Sequence, residues 1–181
     1  MDEQALFETL QGRRHSLLRV ELQPVYDVAS DGDDFRRYRE GAERADNDLT
    51  AGWPGQLGRD SAAGRPWRKV HVIGRRSITD YERFMFDWYF TRNCAAGEQI
   101  RILEVPGSDA LAQPMPDWYA LDGERVVLCH YRNGTFVGAE EAPGDVRPWI
   151  MMAETFWALA SPFALWWTAH PELHRDGVGS A

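Results

Sequence analysis

Two histidines and an aspartate are the residues of this chain best suited to acid–base work. His71 and His130 fall in segments that alternate apolar and polar residues, as strands do, and Asp80 opens a helix. Facing one pocket, the three would move protons near neutral pH without a cofactor. Each also has a plainer reading: a strand histidine as a satisfied core or surface group, a first-turn aspartate as the partner of the helix dipole and of Arg83. Arg75 and Arg76 precede the same helix start, where two guanidinium groups beside unpaired backbone amides suit a carboxylate or phosphate. A solvated basic turn is the alternative there. Arg101 is a third candidate for holding an anionic group, and Trp67, Trp88 and Trp118 are the candidate aromatic walls. They belong to eight tryptophans spread along the chain, most of which buried area alone would explain.

The rest of the inventory narrows the classes. The chain has no Ser/His/Asp order and no glycine-rich phosphate loop, and Cys94 and Cys129 lack metal-ligand spacing, so neither a metal nor a cofactor is expected. A net charge of −8 argues against nucleic acid as a partner, because phosphate contacts need a basic face. Met1-Asp2-Glu3 is acidic, and the longest apolar-rich stretch, 149–167, is interrupted by Glu154 and Pro162. Neither a signal peptide nor a membrane span is expected, and the cytoplasm is the expected compartment. With 181 residues, 44% of them hydrophobic, the chain can bury a real core as one domain.

The elements that must position these groups follow from patterning. Residues 4–11 read as a helix and 17–26 as an extended segment; Asp31, Asp33 and Asp34 are N-cap candidates for a helix carrying Phe35, Tyr38, Ala42 and Ala45 on one face. Residues 50–66 are glycine-rich and aperiodic, which predicts a loop and a candidate lid. Val70 and Val72 alternate with Lys69 and His71, predicting a strand with one buried face. Thr79 and Glu82 form a capping box for a helix that is apolar on nearly every side and stops at Gly97. Ile100 and Ile102 mark the next strand, so the order strand, helix, strand requires a right-handed parallel crossover if both lie in one sheet. Asp122-Gly123 and Asn133-Gly134 then punctuate a three-stranded meander, since both residues of such turns need positive φ. It begins at Asp117-Trp118-Tyr119, after a proline-rich loop, where pocket rims are commonly built. A closing helix carries Trp149, Ala153, Phe156, Trp157 and Ala160 until Pro162 breaks it, and a short aromatic segment follows.

The expected fold class is α/β: a βαβ unit followed by an antiparallel β-meander and a C-terminal helix, with an N-terminal helical segment. Residues 1–49 would form that segment, packed on the core; 50–66 the loop; 67–170 the α/β core with its C-terminal helices; and 171–181 a frayed tail.

The order R-R…S-x-T-D-Y-x-R…N-x-x-A-G-E-x-I-R-x-L, then D-W-Y-x-L-D-G, then A-E-x-F-W-x-x-A-x-P resembles a family of small actinobacterial proteins described as a domain of unknown function. Arg75, Arg76, Ser77, Thr79, Asp80, Tyr81 and Arg83 carry the first part, Asn93, Ala96, Gly97, Glu98, Ile100, Arg101 and Leu103 the second, and 117–123 and 153–162 the rest. The resemblance implies an α/β domain similar to half of a phospholipase-D-like fold, with a helix-turn-helix regulator as partner. Phospholipase chemistry would need H-x-K-x-x-x-x-D. His71 is followed by Ile73 and Ile78 at the required places, and His130 by Arg132 and Val137, so that activity is not expected.

Three functions remain in view. The first is a non-catalytic cytoplasmic regulatory domain binding a small molecule or partner, with the ligand against Trp67, Trp88 and Trp118 and its anionic group on Arg75, Arg76 or Arg101. The second is a cofactor-free tailoring enzyme of bacterial secondary metabolism using His71, Asp80 and His130. The third is a homodimeric interaction module, with Trp149, Trp157, Trp166 and Trp167 forming the seam.

Overall fold

In the computed structural model, which describes residues 1–74, 77–105 and 115–175, the strands are β1 (Leu17–Glu21), β2 (Trp67–Ile73), β3 (Gln99–Glu104), β4 (Asp117–Leu121), β5 (Arg125–Arg132), β6 (Thr135–Glu141) and the short β7 (Ser161–Pro162). They form one mixed α/β sheet of order β6-β5-β4-β1-β2-β3-β7. β1, β2 and β3 run parallel, so the predicted crossover is present; β4, β5 and β6 are the predicted antiparallel meander. Asp122 and Asn133 both adopt positive φ (55° and 53°) in the two hairpin turns. Among the described residues no helix is long and apolar enough to cross a membrane.

Helices cover both faces. On one lies α7 (Arg147–Leu159), seating Ala153, Phe156 and Trp157 on Leu18, Val20, Val70, Val72, Leu103 and Trp118. The other face carries α1 (Glu3–Gln11) and α4 (Trp53–Ala62), whose Leu6, Leu10 and Leu57 pack on Leu17, Trp67 and Leu121. Beside them runs a rod made of α5 (Asp80–Phe84), a π-helical turn (Met85–Phe90) and α6 (Thr91–Ala95). Its Phe86 and Phe90, with Phe163 and Trp166 of α8 (Phe163–Ala169), close over Ile73, Ile100 and Ile102. The rod starts with the predicted capping box: the Glu82 amide donates to Thr79 Oγ1 (3.1 Å) and the Thr79 amide to Glu82 Oε2 (2.8 Å). It ends as predicted at Gly97, φ +106°, where the amides of Gly97 and Glu98 reach back to Cys94 and Asn93.

Several sequence expectations are corrected. Residues 1–49 are not a helical segment laid on a separate core, because β1 is the central strand, between β4 and β2. Residues 50–66 are not a loop: α3 (Asp48–Ala51) and α4 occupy most of them. Glycine weakens a helix in isolation, but α4 is held from outside by buried Leu57 and by Asp60, which binds Arg13, Arg65 and Trp67. The helix carrying Tyr38, α2 (Asp34–Arg39), ends well before Ala45, because Gly41 turns the chain at φ +97° and the Ala42 amide closes on Arg37. β2 buries both faces rather than the one that its alternation predicts; Lys69 and His71 are 7% and 3% exposed. The start of the expected tail is tied down, since Arg83 donates to the Leu173 carbonyl and Arg175 to that of Ala42. Residues 176–181 and most of the proline-rich connection lie outside the described residues.

Candidate functional site

Arg19 and Glu21 alternate with apolar residues on β1, as Lys69 and His71 do on β2, and the parallel register sets Arg19 beside Lys69 and Glu21 beside His71. Strand period and register thus build a block of four ionisable side chains under the helices. Arg19 Nη1 lies 2.9 Å from Glu21 Oε1, and Lys69 Nζ lies 3.2 Å from the same oxygen and 3.6 Å from Glu98 Oε1. His71 is held at both nitrogens, Nδ1 3.2 Å from Glu21 Oε2 and Nε2 3.1 Å from Glu82 Oε1. A neutral imidazole has one N–H to give, so two flanking carboxylates favour the imidazolium. Burial opposes that charge, but the hydrogen bonds to Glu21 and Glu82 outweigh it and raise the His71 pKa. Burial would likewise raise Glu21, yet Arg19, Lys69 and His71 together hold its carboxyl far below the ordinary range. Removing one member of such a buried network leaves an uncompensated charge, a loss of about 3–5 kcal/mol.

Over this block lies a cavity of ≈ 390 Å³, within the size range of small-molecule sites. Arg19, Glu21, Lys69, Tyr119 and Tyr131 line it from the sheet, Leu6 and Leu10 from α1, and Trp53 and Trp67 stand at one end with ring centroids 4.8 Å apart. The rod supplies Tyr81, Met85, Tyr89, Arg92 and Asn93. The π-helical turn lies within this wall, and such turns recur at functional sites. A larger recess, ≈ 700 Å³, between residues 1–4 and 136–138 is a shallow surface depression beside the chain start.

Carboxylates occupy the hydroxyls of three of its tyrosines, and one of those carboxylates, Asp31, itself lines the cavity. Tyr26 donates to Asp117 Oδ2 (2.6 Å), Tyr81 to Asp31 Oδ2 (2.6 Å) and Tyr89 to Asp34 Oδ2 (2.9 Å). Burial pushes the Asp31 and Asp117 carboxyls up to about 6, although tyrosine hydrogen bonds favour their charged forms. What these residues offer a ligand is therefore ring surface, with the hydroxyls already bonded.

Arg92 and Asn93 are different. Arg92 Nη1 donates to Thr50 Oγ1 at 3.3 Å and its guanidinium lies 4.7 Å from the Tyr89 ring centroid, but its Nε and Nη2 are buried without a partner among the described residues. Asn93 donates to Glu98 Oε2 at 2.9 Å, while its Oδ1 is buried and unpaired, as is Arg19 Nε. Each such atom costs about 1–3 kcal/mol relative to a bonded one. Arg19 and Lys69 pair with Glu21, and Arg68 with Glu154 at 2.8 Å; Arg92 has no carboxylate partner among the described residues.

The residues singled out from sequence do not converge. His71 is on the cavity side of the sheet but beneath its floor; His130 is on the α7 side, 3.1 Å from Glu140; and Asp80 is exposed in the first turn of α5. The shared acid–base pocket is not formed, because His130 has the strand parity of Trp118 and Leu128. Trp67 lines the cavity, its Nε1 bonded to Asp60 and its ring beneath Arg13. Trp88 packs instead on Tyr38 and Phe84, and Trp118 lies under α7 against Trp149, so the three walls face three different clusters. Arg101 is on the α7 side too, its Nη1 2.8 Å from the Trp157 carbonyl. Arg75 and Arg76 lie outside the described residues. The tryptophans of the expected seam also make contacts within the fold: Trp149 on Trp118, Trp157 under Arg101, Trp166 and Trp167 against Phe86; Trp166 is buried and the other three are half-buried.

Sequence reasoning passed over Arg19, Glu21, Arg92 and Glu98 as site residues. Charged residues at alternate positions of apolar strands were the available signal for the first two. Arg92 carried none, because its role depends on what does not pair with it.

Residues 4–168 match the model of the family described as Domain of unknown function (DUF6879), and the chain belongs to that family. No curated protein matches it.

Proposed function

We propose that this member of the family is a non-catalytic, cytoplasmic regulatory domain that binds a small molecule in the cavity between the sheet and its cover of α1, α4 and the rod. The observation that carries this reading is the ≈ 390 Å³ cavity itself, walled by aromatic rings and bordered by polar groups of Arg92, Asn93 and Arg19 that have no partner among the described residues. A binding role is favoured over acid–base catalysis because His71 is sealed between Glu21 and Glu82 while His130 and Asp80 lie elsewhere. Kinship with half of a phospholipase-D-like fold, an actinobacterial setting and a helix-turn-helix partner belong to the same proposal, the ligand tuning that partnership.

Native mass spectrometry tests it. The purified protein, incubated with a small-molecule cell extract, is expected to carry an adduct that leaves on denaturation. Leu6→Trp, which plugs the cavity from α1, is expected to abolish the adduct while circular dichroism reports an intact fold. The same adduct on both proteins, or none on the wild type, overturns the reading.

A further inference from the structure

We infer that the ligand of this cavity is an aromatic anion, a carboxylate or a phosphate ester, clamped by the Nε–Nη2 edge of Arg92. The inference rests on the binding role proposed above and adds the chemical class of what is bound. Nε and Nη2 form one of the two guanidinium edges whose N–H bonds run parallel and can grip the two oxygens of a carboxylate or phosphate. In this protein neither nitrogen of that edge has a partner among the described residues, while the opposite nitrogen, Nη1, is turned to Thr50.

Ion pairing points the same way. Of the cations that line the cavity, Arg19 and Lys69 pair with Glu21 and Glu98, and Arg68 with Glu154, whereas Arg92 has no carboxylate within ion-pair distance among the described residues; of the lining acids, Asp31 is taken by the Tyr81 hydroxyl. A cationic ligand is disfavoured beside Arg92 and Arg19, whose guanidinium groups already lie over one face each of Tyr89, Tyr26 and Tyr119, as Arg13 does over Trp67. Those rings, with Trp53, still offer edges and flat surface to an aromatic body. Asn93 Oδ1, one residue along the rod and also unpaired, would accept a hydrogen bond from an N–H or O–H on the same ligand.

Ligand-observed NMR with four probes of one shape tests this: 2-naphthoate, 2-naphthyl phosphate, 2-naphthamide and 2-naphthylmethylamine. At least one anion is expected to bind roughly tenfold more tightly than the amide and the amine, the margin of a charge-assisted bidentate pair. Which anion wins separates carboxylate from phosphate recognition. Arg92→Gln is expected to erase the preference, weakening the favoured anion roughly tenfold more than it weakens naphthamide, and Arg92→Lys to restore only part of it. Amide or amine binding as tightly as both anions overturns the anionic class while the cavity's binding role stands. If no probe binds at millimolar concentration and the extract gives no adduct, both fail. Should Arg92→Gln not fold, the wild-type comparison of the four probes decides alone.

Discussion

His71 Nε2 lies 3.1 Å from Glu82 Oε1, so a strand residue and a helix-capping residue share one proton-bearing contact. Glu82 uses its other carboxylate oxygen to accept the Thr79 amide at 2.8 Å. The side chain that starts α5 therefore also fixes the rod over β2, and through His71 it is joined to Glu21 on β1. The cavity floor and the cavity wall are connected through this relay, whose ends are carboxylates and whose centre is the His71 ring.

That arrangement makes stability fall on the alkaline side. The pKa of His71 is raised above 6.5 in the folded protein, so above that pH the folded state binds more protons than the unfolded state. Its contribution is complete below pH 6.5 and is lost as pH climbs through the raised value. The thermal midpoint is expected to decline as the pH rises above about 6.5 in the wild type. His71→Gln is expected to flatten this limb and lower the midpoint at about pH 6, because Glu21 and Glu82 lose their shared cation. A wild-type midpoint independent of pH over that range would exclude the imidazolium.

Arg101, a candidate anion holder in the sequence, instead fastens α7 to β3. Its Nη1 reaches the Trp157 carbonyl at 2.8 Å and its guanidinium lies 4.3 Å from the Trp157 ring centroid. Arg101→Met keeps the aliphatic stem and loses both contacts, an expected cost of about 1–3 kcal/mol in urea unfolding. Because this contact lies on the α7 face, affinity at the cavity is expected to stay within about twofold of wild type. A tenfold loss of affinity in a folded variant would return Arg101 to the binding site.

The local signals in the sequence were sound where a few adjacent residues settle the conformation. Thr79 with Glu82, Gly97, Asp122-Gly123 and Asn133-Gly134 all behave as their types dictate. Failures came where distant segments decide. Leu17–Glu21 is short, and only its pairing with β2 and β4 makes it the central strand. α4 owes its helix to Asp60 and Leu57 being gripped by residues elsewhere in the chain. The site escaped for the same reason: Arg19 and Lys69 are far apart in the chain and meet only through register. The π-helical turn had no sequence mark, because a run of aromatic residues reads alike in either helix.

Gly97 is predicted to resist substitution for two separate reasons. Its φ of +106° strains any L side chain, and a Cβ would stand 2.9 Å from Ser61 Cβ and 3.0 Å from Ser61 Oγ on α4. Gly97→Ala is expected to cost about 2 kcal/mol or more by denaturant unfolding. Gly52, with φ −78° and nothing within 4 Å of an added methyl group, is the control. Gly52→Ala is expected to stay within about 0.5 kcal/mol of wild type. Equal costs at both positions would refute the close approach of α4 to the end of the rod.

On the acid side Asp117 is one of two carboxyls raised to about 6, and it is fully buried at the start of β4. It accepts the Leu22 amide at 2.9 Å and the Tyr26 hydroxyl at 2.6 Å, with Arg19 Nη2 4.0 Å away. Burial dominates and pushes its carboxyl up to about 6, against the pull of Arg19 and Tyr26. An acid raised in the folded state holds extra protons between its unfolded value, about 4, and about pH 6, so it makes stability fall as pH rises across that window. Asp117→Asn keeps an acceptor and removes the titration. The stability of this variant relative to wild type is therefore expected to improve from about pH 4 to about pH 6 and to level off above it, read as the difference between two urea-unfolding series. A difference that worsens over the same window would mean that Asp117 titrates below its ordinary value, with the Arg19 charge and the Tyr26 hydrogen bond outweighing burial.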